Sequence, residues 1–271
     1  MKFWRYTMRF DSQPNVRTPG KAVRGALVMH AGGLGCLQPW PSLGDPELED
    51  EIAALLGGSP TEMGRACLRC CEIDGHARRD GLSLFDGLQI PPSHVLLDQG
   101  TDEELAAARV AGVVKVKGAP DFSKFAHIAV RIDFNSVLDA DSFRRWVASL
   151  TEEERGQIDF VEDPVPYDPE LWETLSSESG LRFALDRGPG DATRGFAVRT
   201  WKPACVPEVP SGVEFCITHN MDHLIGRRYA AYQAARFDGV LVACGLGDIG
   251  RPDGAGLGCD ELLNELAWEN R

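Results

Sequence analysis

Residues 113–135 read VVKVKGAPDFSKFAHIAVRIDFN, two mostly apolar runs, Val113–Gly118 and His127–Asn135, with charged side chains toward their C-terminal ends. Strands buried in a parallel sheet normally read as unbroken apolar segments. Lys115, Lys117, Arg131 and Asp133 are therefore conspicuous. The same arrangement recurs downstream: Ile158–Pro164 ends in Val161-Glu162-Asp163-Pro164, Leu181–Gly188 contains Leu185-Asp186, and Phe196–Ala204 contains Trp201-Lys202-Pro203. Glu214–Asn220 and Gly239–Gly245 bring the strand candidates to seven, and His94–Gln99 is a weakly marked eighth.

Amphipathic segments such as Glu103–Ala111, Ser142–Leu150 and Arg227–Phe237 fit between these strands as helices. Short apolar runs alternating with helices are the mark of repeated βα units in an α/β fold. Eight such units would close a (β/α)8-type barrel, although an open doubly wound sheet has the same rhythm. The charges favour the barrel, because strand ends then share one mouth, where active sites of that architecture lie. The last unit is expected to be imperfect, since Gly247–Gly258 is rich in glycine and a single helix, Asp260–Asn270, follows.

Residues 1–88 read differently, as a small α+β unit preceding a barrel over 89–271. Phe3–Phe10 and Arg24–His30 are predicted strands. Asp45–Leu56, with Asp45 as N-cap and Pro46 at the first helical position, and Glu62–Arg78 are predicted helices. Between strands and helices, residues 31–45 read AGGLGCLQPWPSLGD, a predicted loop of a length suited to a substrate lid, with Trp40 as a packing residue. Of the 8 cysteines, Cys67, Cys70 and Cys71 share one helix face and are expected to be reduced and buried, since no second CxxC or HxxxH accompanies them.

The formal charge of −13 opposes binding to nucleic acid or to anionic lipid. The sequence shows no apolar run long enough for a signal peptide or a membrane span, so a soluble, cytoplasmic protein, monomeric or weakly oligomeric, is expected. Its partner would be a small-molecule carboxylate, met by local cations or a metal.

Asp133, Glu162 and Asp186, if brought together, would repel one another unless a cation held them. Hard oxygen ligands suit Mg²⁺, with Mn²⁺ as a substitute. Lys117 and Lys202 would flank that ion, an arrangement suited to moving a proton next to a carboxylate.

The series KVKG, RIDFN, VEDP, LD and WKP resembles the barrel of the enolase superfamily, in the muconate lactonizing enzyme-like subgroup with a lysine on each face of the substrate. Pairing a Lys or His base with Mg²⁺ is general to that superfamily. Within the subgroup, the short chain, the GALV strand and the loop ending PWPSLGD are similar to the o-succinylbenzoate synthase family. The resemblance implies a capping domain over residues 1–88 and Mg²⁺ ligation by Asp133, Glu162 and Asp186. It further implies Lys117 as general base and then acid, Lys202 steadying an enediolate from the opposite face, and Lys115 lowering the pKa of Lys117. Arg131 and Asn135 would support the metal ligands, while Thr218, Gly245 and Gly247 would meet substrate, the glycines through backbone N–H groups. The implied reaction is syn dehydration of 2-succinyl-6-hydroxy-2,4-cyclohexadiene-1-carboxylate, on the route to menaquinone.

Where the family often has an acidic and a small residue after the third metal ligand, this chain has Arg187-Gly188. His219 and His223 are expected to be structural, because the lysine pair already serves both faces. The rival readings are racemisation of N-acylamino acids or epimerisation of dipeptides on the same site, and a non-catalytic binding barrel, which intact ligands and lysines disfavour.

Overall fold

The computed structural model describes residues 1–11, 15, 17, 18 and 20–270. The chain begins with an antiparallel sheet of β1 (Lys2–Arg9), β2 (Ala22–His30) and β3 (Gly33–Leu37), followed by α1 (Leu48–Leu56) and α2 (Glu62–Arg79). The first part of the expected lid loop is thus a strand. Gly33 and Gly35 explain the misreading: they are glycine because β3 lies directly on α2. A Cβ at Gly33 would stand 2.1 Å from the Cys71 carbonyl oxygen and 2.3 Å from the Gly75 nitrogen, and one at Gly35 would stand 2.6 Å from the Cys67 carbonyl oxygen. Cys67, Cys70 and Cys71 are buried on the contacting face of α2, and all eight cysteines are unpaired thiols.

Helix α1 begins later than expected, with Glu47 at the N-cap. Asp45 is engaged elsewhere, its Oδ2 accepting the Trp40 backbone N–H at 2.8 Å. That bond shapes the turn after β3 instead of starting the helix.

The second sheet is parallel and runs in chain order: β4 (Val95–Leu96), β5 (Val113–Lys117), β6 (Ala129–Asp133), β7 (Ile158–Glu162), β8 (Phe183–Leu185), β9 (Val198–Trp201), β10 (Glu214–Ile217) and β11 (Val240–Leu241). Its edges meet at one parallel bridge, Ser93 with Cys244, where His94 N–H bonds the Cys244 carbonyl at 2.8 Å and Cys244 N–H the Pro92 carbonyl at 2.7 Å. The barrel-type closure is therefore the architecture adopted, with β4 and β11 reduced to two residues each. Helices α3 (Asp102–Ala111), α4 (Ala140–Ser149), α5 (Glu152–Gln157), α6 (Pro169–Ser179) and α7 (Leu224–Ala235) surround the strands.

Imperfection is not confined to the last unit. Among the described residues no helix joins β8 to β9 or β9 to β10. The connecting stretches, with RGPGDATRG at 187–195 and PACVPEVPSG at 203–212, carry too much Gly and Pro for one. At the C-terminus α8 (Asp260–Glu265) is shorter than expected, and β12 (Glu269–Asn270) pairs antiparallel with β1. No described helix is long and apolar enough to cross a membrane.

The outer core gathers Phe143, Trp172 and Phe183 in edge-on ring contacts at 5.5–5.6 Å. A separate inner cluster of Phe160, Ala184, Val198 and Cys216 fills the curl of the sheet. The close β3–α2 packing makes a direct prediction. Gly33→Ala should lower stability by about 2–3 kcal/mol through overpacking. Gly156→Ala, on α5 with nothing within 4 Å, should be neutral or stabilising by up to about 1 kcal/mol. Urea unfolding of both variants checks this; equal stability of the two would contradict the packing argument.

Candidate active site

Parallel register sets the site. Lys117 lies opposite Asp133 across β5 and β6, and Asp133 opposite Glu162 across β6 and β7. Asp186 follows β8 and Lys202 follows β9, so both reach the same mouth. Lys115, Lys117, Asp133, Asn135, Glu162, Asp186 and Lys202 line one cleft. Lys117 on the second strand and Lys202 after the sixth stand on opposite sides of the eight-stranded ring. Trp40 and Leu43, from the turn after β3, form the wall above.

The lysines and carboxylates are paired. Lys115 Nζ lies 2.5 Å from Glu162 Oε1 and 3.3 Å from Asp133 Oδ2. Lys202 Nζ lies 2.5 Å from an oxygen of Asp186. Burial pushes the Glu162 carboxyl up to about 7; Lys115 opposes that rise, and the charges of Asp133 and Asp186 add to it. Burial would raise Asp186 as well, but Lys202, Lys115 and Arg187 outweigh it and hold the carboxyl below its usual range. Burial also works against the charge on Lys115, yet Glu162, Asp133 and Asp186 keep its ammonium protonated well above the ordinary range.

Lys117 is shifted down, chiefly by burial. Asp133 and Asp98 work against that shift, and Lys115 adds only the smallest push. Lys115 thus acts on Lys117 in the expected direction, with desolvation as the larger cause.

Asn135 sits at φ 51° and directs both its backbone N–H and its side-chain amide onto Asp133 Oδ1 at 2.9 Å. Ser136, Asp163 and Met221 share the left-handed conformation, so uncommon backbone collects at this mouth. Asp163 is buried, its carboxyl raised by burial first and then by Asp186, Glu162 and Asp133. Its Oδ1 accepts the Asp186 N–H at 3.1 Å and fixes where that residue begins its turn. Asp163 falls within VEDP at 161–164, but nothing in the sequence distinguishes its role from that of its neighbour.

Arg131 lies beneath the cleft. Its Nε donates to Asp159 Oδ2 at 2.8 Å, its guanidinium stacks 4.5 Å over Phe160, and its Nη1 meets His94 Nδ1 at 2.9 Å. It therefore supports His94, not a carboxylate of the mouth. His94 itself lines the cleft. A lone histidine beside a faint apolar run carried no signal of this.

The late-strand residues are placed unevenly. Thr218, Gly245 and Gly247 all line the cleft. The Gly245 N–H is bonded to the Ile217 carbonyl at 2.9 Å, however, so it does not serve as the expected anion donor. Thr218 Oγ1 is buried with no partner among the described residues. His219 lines the cleft, whereas His223 caps α7 and packs on Trp4 and Tyr6. Trp40 is buried against Asn220, whose carbonyl accepts its indole N–H at 3.1 Å. Arg187 reaches the Leu43 carbonyl at 3.3 Å and tethers the same turn.

Could the mouth hold a divalent cation? Among the described residues no three Asp, Glu, His or Cys side chains are already gathered about one point as an ion cage. Lys115 and Lys202 take up the charge instead. The donor set still fits: three carboxylates at neighbouring strand ends face one cleft, and burial first, then the charges of Asp133 and Asp186, raises the Glu162 carboxyl, charge that a hard cation would stabilise.

Comparison with known proteins agrees with this fold. Residues 1–77 match the family described as O-succinylbenzoate synthase, N-terminal domain. The chain is 27% identical to the o-succinylbenzoate synthase of Bdellovibrio bacteriovorus, over 97% of this chain and 96% of that one. Among solved structures, a mandelate racemase/muconate lactonizing protein from Herpetosiphon aurantiacus superimposes with a TM-score of 0.72 at 16% identity, covering 94% of this chain and 96% of that one. The L-Ala-D/L-Glu epimerase from Bacillus subtilis does so with a TM-score of 0.67 at 14% identity, covering 90% and 88%. The matched N-terminal family, the full-length relative and the shared barrel fold together bear out the resemblance of this enzyme to o-succinylbenzoate synthase of the enolase superfamily.

Proposed function

We propose that the chain is a Mg²⁺-dependent o-succinylbenzoate synthase. It dehydrates 2-succinyl-6-hydroxy-2,4-cyclohexadiene-1-carboxylate to 2-succinylbenzoate for menaquinone biosynthesis, in the cytoplasm. In this reading residues 1–88 cap a catalytic barrel formed by residues 89–271. The observation that carries it is the pair of lysines, Lys117 and Lys202, on opposite sides of a cleft lined by Asp133, Glu162 and Asp186.

Asp133, Glu162 and Asp186 would hold the cation, which when bound neutralises the substrate carboxylate and so acidifies the adjacent C–H. Lys117, whose ammonium is made easier to deprotonate by burial, takes that proton as the neutral amine while the C–H bond breaks. Lys202, on the far side, faces the negative charge that builds on the carboxylate. The ammonium of Lys117 then returns the proton to the departing hydroxyl. The C–O bond breaks, water leaves, and the ring becomes aromatic. One lysine serves both proton transfers because hydrogen and hydroxyl leave from the same face. Asn135 keeps Asp133 oriented, and Arg187 with Trp40 closes the wall against water.

Lys117→Ala and Lys202→Ala should each lower kcat by at least about 10²-fold, the ordinary worth of a positioned acid or base. Ultraviolet loss of the diene in steady-state assays, with EDTA as control, measures it. No dehydration by the native enzyme, with α-proton exchange on N-acylamino acids instead, would move the reaction to racemisation on the same lysines.

The direction of the Lys117 shift fixes a pH profile. The base must be neutral, and its folded pKa lies below the ordinary 10.5. Log kcat/KM should therefore rise with pH and level off before 10.5 is reached; a profile still rising there would remove Lys117 from the role of base.

Binding of Mg²⁺ should also raise the thermal midpoint of the native enzyme, as any ligand of the folded state does. Asp186→Asn should lose most of that rise. Equal stabilisation of both proteins would place the ion elsewhere.

A further inference from the structure

Opposite the carboxylates the cleft is lined by two imidazoles whose proton positions are set by their neighbours. His94 Nδ1 stands 2.9 Å from Nη1 of Arg131. A guanidinium can only donate, so Nδ1 accepts and the ring proton lies on Nε2. His219 Nδ1 accepts the Met221 backbone N–H at 2.8 Å, which puts its proton on Nε2 as well. Met221 reaches that position from φ 51°, an uncommon backbone state for a methionine.

Both Nε2 edges border one turn. A Cβ placed on Gly245 would lie 3.0 Å from His94 Nε2, and one on Gly247 would lie 3.1 Å from His219 Nε2. Glycine at both positions keeps the space before the two ring N–H groups clear. Two of the turn's amides are already committed: Gly245 N–H bonds the Ile217 carbonyl and Leu246 N–H bonds Ser93 Oγ at 2.9 Å. Burial, followed by nearby positive charges including Lys115, disfavours the imidazolium form of both rings. The two side chains are thus neutral donors.

We propose that His94 and His219 are specificity-determining residues that bind, through their two Nε2–H groups, the second carboxylate of a small dicarboxylate whose first carboxylate lies among Asp133, Glu162 and Asp186. This rests on the synthase reading and deepens it, assigning the end of the substrate that does not react. Arg131 is then a positioning residue, holding His94 in the donating tautomer from below.

Calorimetric titration of the Mg²⁺-saturated enzyme with 2-succinylbenzoate and with benzoate, which lacks the second carboxylate, tests it. The native protein should prefer 2-succinylbenzoate. His94→Leu and His219→Leu should each weaken that ligand about ten- to a hundredfold, the worth of a hydrogen bond to a charged group, and leave benzoate unchanged. Gln variants, whose side-chain amide can donate from near the Nε2 position, should recover most of the loss. Asn variants, too short to reach, replace Leu if the latter do not fold. Leu or Asn variants that keep the native preference, or that lose both ligands equally, overturn the assignment of the histidines while the synthase reading stands. A native protein that shows no preference for 2-succinylbenzoate and does not dehydrate the diene overturns that reading, and the histidine proposal with it.

Discussion

Charge balance in the mouth of the barrel constrains everything around it. Parallel register brings Asp133 and Glu162 side by side and Asp186 into the same cleft, where Glu162 is almost wholly withdrawn from water. Like charges so placed raise one another's proton affinity. The fold meets this with ammonium groups of its own, Lys115 between Glu162 and Asp133 and Lys202 on Asp186. Lys115 lies deeper along the same strand than Lys117. It pairs with Glu162 and Asp133, while burial is the chief influence on the protonation of Lys117. Two lysines two residues apart on one strand thus do opposite things, and the difference comes from what each faces.

The turn after β3 and the loop before α7 act as one unit above that mouth. Gln38 Nε2 donates to the Met221 carbonyl at 2.7 Å, Asn220 Nδ2 to the Gln38 carbonyl at 3.0 Å, and Trp40 Nε1 to the Asn220 carbonyl at 3.1 Å. Met221 is the same residue whose N–H holds His219. Docking of the N-terminal layer therefore also sets an imidazole at the rim. A shift of that layer would change the donor geometry of the cleft as well as its cover.

Features that depend on periodicity were legible in the sequence; features that depend on a neighbour were not. The strands from Val113 onward stood out because charge broke apolar runs at fixed places, and those charges meet in one cleft. β3 was hidden because its glycines look like turn chemistry, yet they are there for contact with Cys67, Cys71 and Gly75 on α2. Asp45 read as a helix cap, but its carboxylate had a nearer donor in Trp40. The missing helices after β8 and β9 could have been read from the density of Gly and Pro at 187–195 and 203–212. The roles of Arg131 and His94 could not, since they arise from an interaction across the barrel interior between strands far apart in sequence.

Those missing helices bear on why the N-terminal layer is packed so intimately. A parallel strand left uncovered would expose its apolar outer face, and burial is the main driving force available. Here the N-terminal layer covers the connection after β9 and part of α7. Leu27, Leu34, Cys36 and Cys70 from that layer share one buried cluster with Ala204 after β9 and with Ile225 and Tyr229 on α7. Cys205 packs into the cluster of Phe3, Leu37, Ile52 and Met63. Arg69 on α2 donates to the Pro207 carbonyl at 2.8 Å, satisfying backbone in a connection where a helix would have satisfied its own. Because the two layers share a core, the N-terminal layer cannot swing away as a rigid lid without exposing barrel interior. Opening that admits substrate then falls to segments that border the mouth, among them Asn15, the turn at 38–45 and the loop at 219–223, while the layer behind them stays in place.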